Sequence, residues 1–419
     1  MLAAALAVAA GPAAAQGEAA GPLLPAPILD RGFAQSVWTG ERLLVWGGAA
    51  AGELFADGAS FDPRADRWQP IASGPLSERT GAAAAWTGRE MLVWGGCCDA
   101  RGRELADGAA YDPDADRWRT LPEAPIRGRV GHAGVWADDL LLVWGGTRGN
   151  DALADGAAYD SDADRWRRIG ESPLRARGTP AAVWTGEELL VWGGSALDRV
   201  WGDGAAYDPA ADAWRSMGEA PIAARSEPGA AWTGEELLVW GGCCAGEGAA
   251  LGDGASYDPA RDRWRVLPEA PIPGRAGHVT AWTGRQLLIW GGRTGTGEAL
   301  PGGAALHPPS GSWAPIPGDS LAGRTGAAAA WTGDALLIWG GCCTAQGRPF
   351  GDGASMLPPP VEVAGGRPQA GPSPSPQESP PGSAPPSPGD GFPVLPVTVA
   401  AGVAALGAIV YAFRRRGPG

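Results

Sequence analysis

The chain has 419 residues, rich in glycine (68), proline (40) and tryptophan (21), poor in histidine (3) and tyrosine (5), and 19% charged. That balance suits a turn-rich β protein and excludes a helical bundle. Its 33 basic residues are all arginine and the net charge is −13, which excludes an electrostatic grip on nucleic acid, where many phosphates must be neutralised.

Residues 1–15 are uncharged, dominated by Ala, Leu and Val, and end in Ala13-Ala14-Ala15 before Gln16, the small-residue pattern of a secretory cleavage site. They are expected to be a signal peptide. The usual basic residues ahead of the apolar run are missing, and a disordered alanine-rich leader is the alternative.

Residues 16–357 repeat with a period near 49, the signature of a propeller or solenoid. A Gly-Gly doublet after Val-Trp or Ile-Trp starts at Gly47, Gly95, Gly145, Gly193, Gly241, Gly291 and Gly340. Sixteen residues before each doublet stands an arginine: Arg31, Arg79, Arg129, Arg177, Arg225, Arg275 and Arg324. Seven residues after each arginine stands a tryptophan, and a further Trp (68, 118, 166, 214, 264, 313) precedes the next unit. Periodicity and turn chemistry give four short strands per unit, the innermost rich in Ala and Gly, as crowding near a propeller axis requires.

These residues resemble the kelch repeat family, which has a double glycine after an apolar strand, then a Tyr and a Trp at this spacing. The resemblance covers residues 22–357 and implies an all-β, seven-bladed kelch-like β-propeller, similar to the central domain of galactose oxidase. The seventh unit ends at Gly353-Ala354-Ser355-Met356 without its Trp strand, while Leu24-Pro25-Ala26-Pro27-Ile28 matches the segment that follows that Trp elsewhere. The N-terminal segment is therefore expected to close blade seven as its outer strand.

The loop after the doublet varies in length, and in its longer form it opens with two cysteines: Cys97-Cys98, Cys243-Cys244 and Cys342-Cys343. These pairs lie in units that are not neighbours, so each is expected to form a vicinal disulfide stapling its own loop; free thiols and metal or redox chemistry are the alternatives. The seven arginines, at the starts of the inner strands, are expected to ring one channel mouth. In kelch domains that act as substrate receptors, arginines so placed hold acidic peptides, and this resemblance suggests an anionic glycan or acidic peptide as ligand. Pairing with repeat carboxylates such as Asp107 or Glu219 is the structural alternative.

Glu227 stands near an inner-strand start where other units have Gly, Phe or Thr, and is a candidate acid or base, or else a partner for Arg225 or Arg177. His132, His278 and His307 lie in separate units, so no metal site and no cofactor is expected. The copper-radical chemistry of galactose oxidase has no His and Tyr ligands here.

Residues 358–393 are Pro-, Ser- and Gly-rich and are read as a disordered linker, a stalk reaching up to roughly 100 Å at about 3.1 Å per residue. Residues 394–413 hold no charge and are followed by Arg414-Arg415-Arg416, which reads as one transmembrane helix with a cytoplasmic basic tail, 414–419. Leu395-Pro396-Val397-Thr398 resembles a cell-wall sorting signal but departs from it at Val399. The expectation is a single-pass type I protein at the cell membrane, its propeller extracytoplasmic, binding an unknown protein or glycan and not an enzyme. A sugar epimerase or mutarotase using Glu227, and a purely structural envelope protein, are the alternatives.

Overall fold

The computed structural model describes residues 21–98, 101–197, 199–243, 248–343 and 347–361. The expected signal peptide, most of the linker, the membrane helix and the basic tail lie outside them, as does Cys244. No helix among the described residues is long and apolar enough to cross a membrane.

Seven four-stranded antiparallel sheets succeed one another along the chain. Blade two is typical: inner strand Ala83–Trp86, then Met91–Trp94, Gly108–Asp112 and outer strand Arg117–Thr120. The inner strands of successive blades are in contact around the ring, including the first with the last. The molecule is thus a seven-bladed β-propeller.

The four-strand order puts two kinds of connection on opposite faces. On one face lie the tight turns. Thr39 Oγ1 accepts the amides of Glu41 and Arg42 in the first turn of blade one, and Asp62 Oδ1 accepts those of Arg64 and Ala65 in its second. Threonine and aspartate at these positions are turn formers because a short side-chain oxygen can satisfy local amides. On the other face lie the loops after the glycine doublets and the linkers between blades.

The space between blades is filled by tryptophan. The second-strand residues Trp46, Trp94, Trp144, Trp192, Trp240, Trp290 and Trp339 are essentially inaccessible. Six of them stack on the outer-strand Trp of the following blade, as in Trp94–Trp166 at 5.5 Å, and the ring closes through Trp339–Trp68 at 5.4 Å. Such tilted pairs add about 0.5–1.5 kcal/mol each beyond the area they bury. Outer tryptophans also clamp the preceding blade, Trp118 Nε1 donating to the Ala72 carbonyl at 2.8 Å.

Closure follows the expected route with a shifted register. The outer strand of blade seven is Gly21–Pro22, paired to Ser355 and Ala354, while Leu24–Ile28 forms the linker into blade one. The closing strand is short and brings no tryptophan to Trp290.

Candidate functional site at the loop face

The seven repeat arginines do sit at the loop end of the inner strands, but they do not form an open ring. Each is at most 2% exposed. Arg79 shows the pattern: Nη1 donates to the Gly95 carbonyl at 3.2 Å and to Asp107 Oδ1 at 2.9 Å, Nη2 donates to Asp107 Oδ2 at 3.1 Å, and Nε donates to the Ser77 carbonyl. Arg31, Arg129, Arg177, Arg225 and Arg324 pair likewise with Asp57, Asp155, Asp203, Asp253 and Asp352.

The arginines therefore bind their own loops, and the expectation of a guanidinium ring open to an anionic ligand is corrected. The physical reason is local. An arginine buried beside a glycine doublet can satisfy the doublet's carbonyl and the loop's acid at once, and its charge is neutralised internally. An apolar residue caps it, as Phe55 does Arg31 and Phe350 does Arg324, each at 4.1 Å.

Blade six departs from this rule. Gly302 stands where the other blades have aspartate, so Arg275 holds only the Gly291, Gly302 and Pro273 carbonyls. Burial without an acid brings its pKa down to about 10.

Above the arginines is a second tier. The residue two places after each arginine has left-handed backbone: Phe33, Gly81, Gly131, Thr179, Glu227, Gly277 and Gly326. Several are hydrogen-bonded around the axis, with the Phe33 amide donating to the Gly326 carbonyl at 2.7 Å and that of Thr179 to Gly131 at 2.6 Å. The Phe33 ring, 2% exposed, occupies the space a side chain at 326 would need. The ring is thus closed between blades one and seven at this tier by Phe33.

Glu227 belongs to this tier and is 4% exposed. Its Oε2 accepts from Arg293 Nη2 at 2.8 Å, so its partner is the loop of blade six and not Arg225 or Arg177. The signal for the tier was present in the sequence, since glycine at four of the seven positions is what left-handed backbone favours.

The cysteines split by blade. Cys97 and Cys98 are 1% and 4% exposed and pack on Val130 of blade three, so in blade two the pair is core and offers no platform for a ligand. Cys342 and Cys343 are half-buried, and the sulfurs within each of these two pairs face one another.

The histidines are not at the site. His132 and His278 pack edge-on to Trp94 and Trp240 at 5.4 Å, and burial of their rings pulls each pKa down to about 3. His307 lies on the turn face beside Ser310. Among the described residues no three His, Cys, Asp or Glu side chains are grouped to hold a metal.

What the loop face exposes is a set of short projections on a rigid ring. The hairpin Ser195–Ala196/Arg199–Val200 carries Leu197 at its tip, 83% exposed. Comparable hairpins stand on blades one and three. The fold is thus a seven-bladed propeller with buried arginines under variable loops. Residues 32–227 match the family model described as the KLHDC2/KLHL20/DRC7 Kelch-repeats domain. The strand pattern continues in register beyond the matched residues to Met356. No curated protein matches the chain.

Proposed function

We propose that the protein is a membrane-anchored, extracytoplasmic binding module whose loop face engages a protein partner, and that it is not an enzyme. One observation carries the reading: among the described residues, the loops that differ in length and sequence from blade to blade share one face, while the turns of the opposite face repeat. Variable loops on a fixed scaffold are where recognition concentrates. Kelch-repeat propellers typically act as protein-interaction modules, which agrees.

The exit of the chain supports the orientation. Gln286, in the first turn of blade six, donates to the Pro359 carbonyl at 3.2 Å, so the chain leaves along the turn face toward residues 362–419. An anchor at 394–413 would then leave the loop face unobstructed by the chain's own exit. With six of the arginines neutralised by aspartate and the seventh, Arg275, buried on backbone carbonyls, support for an anionic ligand in the axial mouth is gone, and the carboxylate of Glu227 is occupied by Arg293.

The test is a pair of photo-crosslinking amino acids in the full chain, made in its own cells. Replacement of Leu197 or Thr296, on the loop face, is expected to capture one discrete partner. Replacement of Glu187 or Asp334, on the turn face, is expected to capture none. Equal capture from both faces would refute the reading.

A further inference from the structure

Each position of one blade has equivalents in the others, so the molecule serves as its own comparison set. Three positions on the loop face are arginine together in one blade only. Arg127, two residues before the repeat arginine, corresponds to Leu29, Ser77, Arg175, Ala223, Pro273 and Ala322. Arg148, in the loop hairpin, corresponds to Ala50, Cys98, Ala196, Cys244, Thr294 and Cys343; Arg168, at the end of the outer strand, corresponds to Pro70, Thr120, Ser216, Val266 and Pro315.

The fold brings these three arginines to one place. They line an open cleft of about 530 Å³ at the seam between blades two and three, with Glu123, Pro125 and Asp155. Asp155 is largely committed. Its Oδ1 accepts from the buried Arg129 at 2.9 Å, which leaves Oδ2 facing Arg168 at 3.6 Å. Arg127 and Arg148 make no side-chain hydrogen bond and no ion pair among the described residues.

The walls are fixed before any ligand arrives. Glu104 of blade two accepts the Gly149 amide at 2.9 Å and so holds the Arg148 hairpin, and Gly128 lies against the Glu104 and Leu105 backbone, where no Cβ would fit.

We infer that this cleft is a binding site for a small tetrahedral dianion of the phosphate-monoester class, held by Arg127, Arg148 and Arg168. The lining carries three guanidiniums against the carboxylates of Glu123 and Asp155, a cationic excess that an anionic ligand offsets. Planar guanidinium forks match tetrahedral oxyanions through paired N–H donors. The surroundings sharpen the point, because a local cationic excess on a chain of net charge −13 works against the field of the whole molecule. Burial holds the Arg129 guanidinium below its ordinary pKa, with Asp155 opposing the shift and the nearby charges of Arg127 and Arg168 adding a smaller push in the same direction as burial.

The experiment is calorimetric titration of the full chain with inorganic phosphate, inorganic sulfate and phenyl phosphate, beside succinate and acetate. Saturable one-to-one binding of phosphate, sulfate and phenyl phosphate is expected, in the range of about 0.01–1 mM. Weakening with added salt is expected as well. The double variant Arg127→Ala/Arg148→Ala should lose affinity by about tenfold or more, the equivalent of at least one charge-assisted hydrogen bond. Arg263→Ala, an exposed arginine of blade five, should leave affinity unchanged, and all variants should keep the wild-type unfolding midpoint. Absence of saturable binding, or equal loss in Arg263→Ala, overturns the site. Succinate binding as tightly as phenyl phosphate overturns the ligand class.

Discussion

His132 and His278 hold their place by staying neutral. Each ring lies between a glycine doublet and a tryptophan with its nitrogens sealed from solvent, and burial depresses the folded pKa to about 3 from an ordinary 6.5. The unfolded chain therefore binds more protons between those values, and stability is lost as pH falls through that window. The slope is at most about 1.4 kcal/mol per pH unit for each histidine. Urea unfolding at a series of pH values should show this loss beginning near pH 6.5, before carboxylates titrate. His132→Phe/His278→Phe should flatten it above pH 5, and an unchanged slope would contradict the assignment.

The buried arginines make a second prediction at this scale. Their carboxylate partners are 40% to 59% exposed while the guanidiniums are sealed, so the two halves of each pair are not equivalent. Arg79→Ala orphans the Gly95 and Ser77 carbonyls and leaves a cavity where the guanidinium bridged doublet and loop, and is expected to cost about 2–5 kcal/mol. Asp107→Ala leaves Arg79 with its carbonyl partners, as Arg275 is left in blade six, and should cost less. Chemical denaturation of both variants checks the order; equal or reversed costs would count against it. The position of these arginines was legible in the sequence, but their burial was not. Spacing places a residue at a strand's start without saying that an aspartate 26 or 28 residues on folds back over it.

At the scale of elements, the repeat made the strands readable. Tryptophan and glycine recur in fixed register because one packs between blades and the other turns where a Cβ would strike backbone. Asp-Pro turns and Thr-Gly turns could be named from their chemistry. The closing strand was less legible: Gly21–Pro22 carries no strand signal and pairs only because blade seven leaves an edge open.

The cysteine loops belong to this scale too. Cys97 and Cys98 are expected to be joined to each other, and so are Cys342 and Cys343. Alkylation of the unfolded, unreduced chain should leave these four unmodified and modify all four after reduction. Modification without reductant would show free thiols.

The whole molecule divides its labour by depth. Tryptophan ladders and sealed arginines make the ring, and the loops above them are free to differ. The cleft between blades two and three was invisible in the sequence, because Arg127, Arg148 and Arg168 span 42 residues and meet only when two blades pack. The Phe33 contact was hidden likewise, since nothing in the sequence aims Phe33 across to Gly326. Separation of scaffold from binding surface is the central claim.

A loop exchange tests it most directly. Residues 49–56 of blade one would be replaced by residues 195–202 of blade four, a loop of equal length whose first residue makes the same bridge to its own inner strand, in the chain carrying the crosslinker at Leu197. The account predicts an unchanged cooperative unfolding transition and a marked loss of partner capture. Capture at the wild-type level, or a ring that no longer folds, would contradict it.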